Sequence, residues 1–448
     1  MIQYKSNIDE NVENLPWALF LFLFIIFYFA TWYDLFYTVK GPNTVEEMTL
    51  LVEKGLLGRR IGLFCLGGVG LFNLLLKIRM SNKINDILGI AIIIYLIWVF
   101  ISILWSDEQV LTIRKVIVLA MLWIGAAWIA ARYSIRAIGY FVLFSGLITI
   151  ILGVLAEIYL GTFQPLNISY RFAGTFHPNT QGLNCAILAI TSYSLSKTET
   201  RWKNLYYIMV IVALVFLFLT KSRAAFLSAV IPISIYWVIV SPKWRRLSLI
   251  AVTLILVSLL GLFYGEDILT FGNKATYIGR DVSDIDTLSL RSPLWKECLS
   301  YISQRPIQGY GYDSFWTPRQ IRKSSKNQGW DVPHSHSGYI EVALSLGIIG
   351  LLVFVGILFL GGGKALLLYL RTGDRLYIYC FSMIMWLCLN MFFEIVNMHP
   401  FIANFVCIAL IIKMTYIDIT GLDKTEKLFH REIAIKTSTS SESANKFK

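Results

Sequence analysis

Long apolar stretches separated by short polar breaks run along most of this chain. Twelve fall near 16–36, 61–77, 86–105, 112–131, 137–160, 182–196, 204–220, 224–240, 247–264, 343–363, 376–396 and 399–415. A hydrocarbon core of about 30 Å is crossed by roughly 18 to 20 apolar residues in a helix. Within lipid no water satisfies open backbone groups, so the pattern predicts helices. Segments apolar all round carry little 3.6-residue signal, so pattern alone does not orient them. The expected fold is an all-α integral membrane protein of about twelve transmembrane helices.

The alternation is interrupted once. Residues 1–264 hold spans 1–9, residues 265–342 form one long polar segment, and residues 343–415 hold spans 10–12. The Ser/Thr/Lys-rich stretch 416–448 reads as a disordered cytoplasmic tail. Inside the long segment, Leu290, Leu294, Cys298, Leu299 and Ile302 recur at helical spacing and predict an amphipathic helix over 290–303. It stops at Arg305-Pro306, since proline disfavours helix in the residue before it. Gly309-Tyr310-Gly311-Tyr312 reads as a turn, and a second helix is expected from near His336. A long loop with helices of its own is more often a lid or a site wall than a linker.

Composition agrees and narrows the class. Of 448 residues 56% are hydrophobic and 15% charged, which excludes a soluble domain and a disordered chain. The polar N-terminal stretch lacks a signal-peptide pattern, so the first span is expected to be retained. The six cysteines form no C-x-x-C pair and predict neither metal site nor disulfide framework.

The net charge of +12 is topological. With the N-terminus inside, the short inner loops carry fourteen Lys or Arg, against Arg171, Lys221 and Arg223 on the short outer loops. That bias matches the positive-inside rule and argues against nucleic acid as a partner. It places both termini in the cytoplasm and 265–342 outside. Loop 37–60, with four basic residues, fits least well.

This topology gathers chemistry on the outer face. Arg171, His177 and Asn179 come from loop 161–181, Lys221-Ser222-Arg223 from the hairpin between spans 7 and 8, and Arg280, Arg291, His334 and His336 from the long loop. Lys221 and Arg223 could snorkel to the interface, Arg291 could sit on a solvated helix face, Arg280 in a turn, and Arg171 against headgroups. Together they would cradle a diphosphate, because a guanidinium binds phosphate bidentately and keeps its charge. A histidine titrates near neutrality and suits deprotonation of a sugar hydroxyl. At a helix start, His336 is expected to be held neutral by the macrodipole. His-x-His with no third ligand at fixed spacing is a poor zinc site. Asp281, Asp284 and Asp286 could bind a metal but read as much like a solvated loop, and Glu394 near His399 reads as a structural acid or part of the site. Tyr310, Tyr312, Phe315, Trp316, Trp330 and Tyr339 could stack on sugars or form an interface belt.

In this order the residues resemble a known family. His336-Ser337, nine residues, then Gly347-x-x-Gly350 is similar to the signature of the O-antigen ligase and Wzy-type polymerase superfamily. His334-Ser335 does not fit that register, since Ser345 lies where the first glycine should follow. Ser222-Arg223, Arg291-x-x-x-Trp295, Arg305-Pro306, Gly309-x-Gly311, Trp105-Ser106, and Gly174 with Pro178-Asn179 resemble further family positions. The likeness covers about 90–365.

The resemblance implies a GT-C-like, metal-independent glycosyltransferase in the bacterial inner membrane, with its site on the periplasmic side and no cofactor. The donor would be a glycan on undecaprenyl diphosphate, the acceptor another glycan, and the partners the bilayer and other envelope polysaccharide assembly proteins. His336, Arg223 and Arg291 match the catalytic positions. Arg171, Lys221, Arg280, His334, Tyr339 and Asn179 would bind substrate. Gly309–Trp316 resembles exopolysaccharide polymerases of the succinoglycan type, and Leu351 replaces a threonine common in ligases. Polymerisation of repeat units is the leading expectation, and ligation to lipid A core or another acceptor the alternative. A transporter fits less well, since the chain shows no repeated halves.

Overall fold

The computed structural model describes residues 17–30, 33–41, 44–76, 86–240, 247, 251 and 288–417. The expected ninth span, Arg280, the acidic run 281–286 and the tail lie outside the described residues. Among those described the fold is all-helical, and the helices follow the apolar runs closely.

Helix α1 (Trp17–Ala30) is followed by a short turn of helix, α2 (Tyr37–Lys40), then α3 (Val45–Lys54) and α4 (Leu57–Leu76). A capping box starts α3, with Thr44 and Glu47 each satisfying the other's backbone N–H. Next come α5 (Ile87–Ile101) with a 3-10 turn to Trp105, α6 (Gln109–Arg132) and α7 (Ile135–Tyr159). Then follow α8 (Pro178–Thr198), α9 (Lys203–Leu219) and α10 (Arg223–Val240). The long polar segment contributes α11 (Leu288–Gln304) and α12 (Pro318–Gln328). The last three are α13 (Gly338–Thr372), α14 (Arg375–Asn390) and α15 (Ile402–Thr415).

Among the described residues five helices are long and apolar enough to cross a membrane, or six if the bent pair 45–54 and 57–75 is one span. Four shorter apolar helices, including α9, α14 and α15, complete the bundle. The fold is therefore a multi-helix membrane bundle, with a smaller count of clear spans than the twelve expected. One reason is α8, which is too polar to register as a span. Its Gln181, Asn184, Thr191, Ser192, Ser194 and Ser196 are all buried. It packs against α7, α9, α10 and α14. Small polar residues let helices approach closely inside a bundle, where lipid does not reach them.

The bundle has two distinct ends. At one, Arg375 donates to the Lys197 carbonyl at 2.7 Å, Lys197 to the Tyr207 hydroxyl at 2.8 Å, and Arg136 pairs with Glu199 at 2.9 Å. At the other lie α3, α11, α12, the turn before α10 and the connections 160–177 and 391–401. Helix α3 packs on α12, which itself packs on α11. Residues 45–54 are thus part of the cover over this end and not a bare loop.

The expected amphipathic helix is α11, with Leu294 and Cys298 buried beside Phe315, Trp316, Ile321 and Val332. Helix α12 was not anticipated. Only Ile321 gives it an apolar contact, and Ser324 and Ser325 fill the rest of its buried face. The second expected helix starts at Gly338, two residues after His336, because Ser335–Ser337 forms a turn.

Helix α13 is broken at Gly347, whose φ of 66° and ψ of −168° suit only glycine. The run after α11 lies against this break. Tyr310 N–H donates to Leu344 O at 2.8 Å, Gly311 N–H to Ser345 O at 2.9 Å, and Ile348 N–H to Pro306 O at 2.8 Å. A Cβ on Gly347 would stand 2.1 Å from Ile307 O, and one on Gly309 2.6 Å from Leu344 O. Trp105 closes the joint by donating to Gln308 O at 3.0 Å. Three of the family-like motifs, Gly347, Gly309-x-Gly311 and Trp105-Ser106, therefore build one backbone joint.

Candidate functional site

Loop 160–177 is pinned before it reaches the site. Buried Glu157 accepts from the N–H groups of Ala173 and Gly174, at 3.0 and 2.7 Å, and from the Tyr170 hydroxyl. Phe172 N–H donates to Leu219 O at 2.8 Å, tying the loop to the hairpin between α9 and α10. Arg171 is thereby aimed across the bundle. Its Nε donates to Thr220 O at 2.9 Å and its terminal nitrogen to Asn179 Oδ1 at 2.6 Å.

Asn179 extends the chain of contacts. Its Nδ2 donates to Glu394 Oε1 at 2.8 Å, and Arg291 lies 3.9 Å from the same oxygen. Arg291 also donates to Phe393 O at 2.7 Å and is buried. Arg171, Asn179, Glu394 and Arg291 thus form one network drawn from three distant stretches of sequence. Glu394 joins Asn179 and Arg291 in this network.

The remaining cations of the hairpin differ. Lys221, with a φ of 52°, donates to the Ile168 carbonyl and so braces loop 160–177. Arg223 opens α10 half-buried, three residues after the carbonyl that Arg171 grips.

His336 stands beside this network with a φ of 52°. Its backbone N–H donates to His334 Nδ1 at 3.2 Å, which leaves His334 to carry its proton on Nε2. The two rings are 4.1 Å apart, and Trp330 lies 5.5 Å from His336. Both ring nitrogens of His336 are buried with no hydrogen-bond partner among the described residues. Burial first, then His334, Arg291 and His177, holds its pKa well below the ordinary imidazole value. The imidazole is thus neutral, as expected from sequence, but for a different reason. His336 precedes α13 in a turn, and burial beside cations replaces the macrodipole.

The turn that carries it is over-determined. Ser335 Oγ donates to Glu341 Oε2 at 2.7 Å and Trp316 Nε1 donates to the same oxygen at 3.0 Å. Trp295 Nε1 donates to Ser335 O at 2.9 Å, and Gly338 N–H to Met391 O at 2.7 Å. Trp295 and Arg291 share α11, so one helix places both the arginine and the turn.

Two other histidines join them. His177 caps α8, where its Nδ1 accepts from Asn179 N–H at 3.1 Å, and His399 lies 6.2 Å from His334. Tyr339, by contrast, donates to Cys388 O at 2.9 Å and packs on Phe392, between α13 and α14. The loop aromatics divide: Phe315 and Trp316 are buried in the cover, while Trp330 faces His336. His399 and Asn397 were missed as site residues. The rarity of histidine was a signal for the first, and nothing in sequence marked the second.

The arrangement joins a neutral, unpartnered imidazole to a set of guanidinium groups, as transfer from an anionic leaving group requires. Residues 208–355 match the family model described as O-antigen ligase. That segment contains Arg223, Arg291, His334 and His336, while Arg171, Asn179, Glu394 and His399 lie outside it. A comparison with curated proteins returned no match. Through that segment, which holds part of the site, the chain is similar to the O-antigen ligase family.

Proposed function

We propose that this protein is an inner-membrane glycosyltransferase that polymerises undecaprenyl-diphosphate-linked repeat units on the periplasmic face. The observation that carries the reading is His336, neutral and unpartnered, beside the network that holds Arg291 and Arg171. The acceptor hydroxyl attacks the anomeric carbon as its proton passes to His336. The bond from that carbon to the diphosphate oxygen breaks, undecaprenyl diphosphate leaves, and the anomeric centre inverts. Arg291 and Arg223 carry the charge that develops on the departing diphosphate, a role that asks for no metal ion. Arg171 and Asn179 orient the donor. Lys221 contributes by holding loop 160–177.

The test supplies the purified protein with one lipid-linked repeat unit and no other acceptor. A ladder of products is expected, and its loss in His336→Ala with the protein still inserted. A normal ladder in that variant overturns the assignment of His336. A single transfer product, formed only when lipid A core is added, would identify a ligase instead. Arg223→Lys should also lose the ladder, because an ammonium cannot replace bidentate geometry.

A further inference from the structure

On the side of His336 facing the connection between α14 and α15, polar atoms are left without partners. Asn397 is 7% exposed, and neither its Nδ2 nor its Oδ1 has a hydrogen-bond partner among the described residues. His399 Nδ1 is buried and equally unpartnered. With the two nitrogens of His336, five such atoms collect on two adjoining segments.

Side-chain contacts bring the two segments together. His334 lies between His336 and His399, at 4.1 and 6.2 Å. Asn397 Oδ1 lies so close to Gly338 that a Cβ there would stand 2.7 Å away. Asn404 donates to the carbonyls of Asn397 and His399 at 3.0 and 2.9 Å, fixing the segment that carries both. Gly338, two residues after His336, is in turn tied to Met391.

Each unpartnered buried polar atom is costly, so several together call for a polar ligand. Its class follows from the atoms. Arg171 and Arg291, linked through Asn179 and Glu394, suit an anion. Asn397 offers an amide donor and a carbonyl acceptor, and His399 a ring that can do either. Mixed neutral donors and acceptors match hydroxyl groups. Among the described residues no group of three or more His, Cys, Asp or Glu is placed to hold a metal ion.

We propose that Asn397 and His399 form a hydroxyl-binding subsite that seats the acceptor sugar against His336. The inference rests on the glycosyl-transfer reading above and adds where the acceptor lies. Donor and acceptor then meet at His336 through different groups, the diphosphate held by guanidinium groups and the acceptor by neutral amide and imidazole.

The experiment uses the full-length protein in detergent, the lipid-linked repeat unit as donor, and the free repeat-unit oligosaccharide as acceptor. Asn397→Ala and His399→Ala should each raise the acceptor KM about tenfold, the size of one or two lost hydrogen bonds, with donor KM within about twofold. His399→Gln, which keeps a donor and an acceptor, should recover most of the loss. Parallel rises in both KM values, or an unchanged acceptor KM, overturn the subsite. Binding of the free oligosaccharide, read by tryptophan fluorescence since Trp330 lies 5.5 Å from His336, tests it without turnover. Loss of that binding in Asn397→Ala upholds the subsite. Equal binding by wild type and variant overturns it. Wild-type protein that binds the oligosaccharide but transfers nothing refutes the catalytic reading alone.

Discussion

Trp295 donates its indole N–H to the backbone carbonyl of Ser335 at 2.9 Å. The bond latches α11 to the residue before His336. Arg291 lies one turn earlier on the same helix, so the latch sets the arginine's position relative to the imidazole. Trp295→Phe keeps most of the packing and removes the bond. One hydrogen bond is worth about 1 kcal/mol, so kcat should fall roughly five- to tenfold, with thermal stability nearly unchanged. An unaltered kcat would show that the latch does not position the site.

Asn179 bridges Arg171 and Glu394, at 2.6 and 2.8 Å. Asn179→Leu removes both bonds and leaves two charged groups without that partner. Donor KM should rise about tenfold or more, while the acceptor KM stays close to wild type. A change confined to the acceptor would reverse the assignment of donor and acceptor groups.

Gly347 and Gly363 lie on the same helix and should respond oppositely to alanine. At Gly347 a Cβ would meet Ile307 O at 2.1 Å and the φ is 66°, so Gly347→Ala should cost several kcal/mol and abolish folded protein. At Gly363 nothing lies within 4 Å, so Gly363→Ala should be neutral or add up to about 1 kcal/mol. Thermal unfolding in detergent reads both. Wild-type stability in Gly347→Ala would refute the joint.

Burial and neighbouring charges hold His334, His336 and His399 neutral, with pKa values well below 6.5. The base form of His336 therefore survives as pH falls through the ordinary imidazole range. The acidic limb of kcat/KM should lie below pH 6.5. An acid limb at or above that value would identify a different base. Stability follows the same sign. The unfolded chain binds protons on these imidazoles near pH 6.5 and the folded chain does not, so stability is full above that pH and declines below it. Replacing His334 with Gln should flatten the fall in melting temperature between pH 7.5 and 5.5, read by detergent thermal shift at about half-unit steps.

Much was legible because its cause is local. Apolar runs predict helices wherever lipid excludes water, and the helices described here follow those runs. The amphipathic spacing of Leu290, Leu294 and Cys298 predicted α11, and Pro306 its end. The spacing of His336, Gly347 and Gly350 separated His336 from His334, since a register is a one-dimensional property. Helix α12 escaped because its period is carried by charged residues against serines, with Ile321 the one large apolar residue on its buried face.

What the sequence by itself determined was the class: a helical membrane bundle with cations and histidines gathered at one end, and His336 marked by its register. Only the tertiary structure decided which of those groups meet. It set Arg171, Asn179, Glu394 and Arg291 in one network, sent Tyr339 to Cys388, and gave Lys221 a bracing role. It also made His336 neutral through burial, and brought Asn397 and His399 beside it. Helix formation depends on neighbours within a few residues, whereas partners from about fifty to more than two hundred residues apart meet only when helices pack. The depth of burial that sets a side chain's charge is fixed by that same packing.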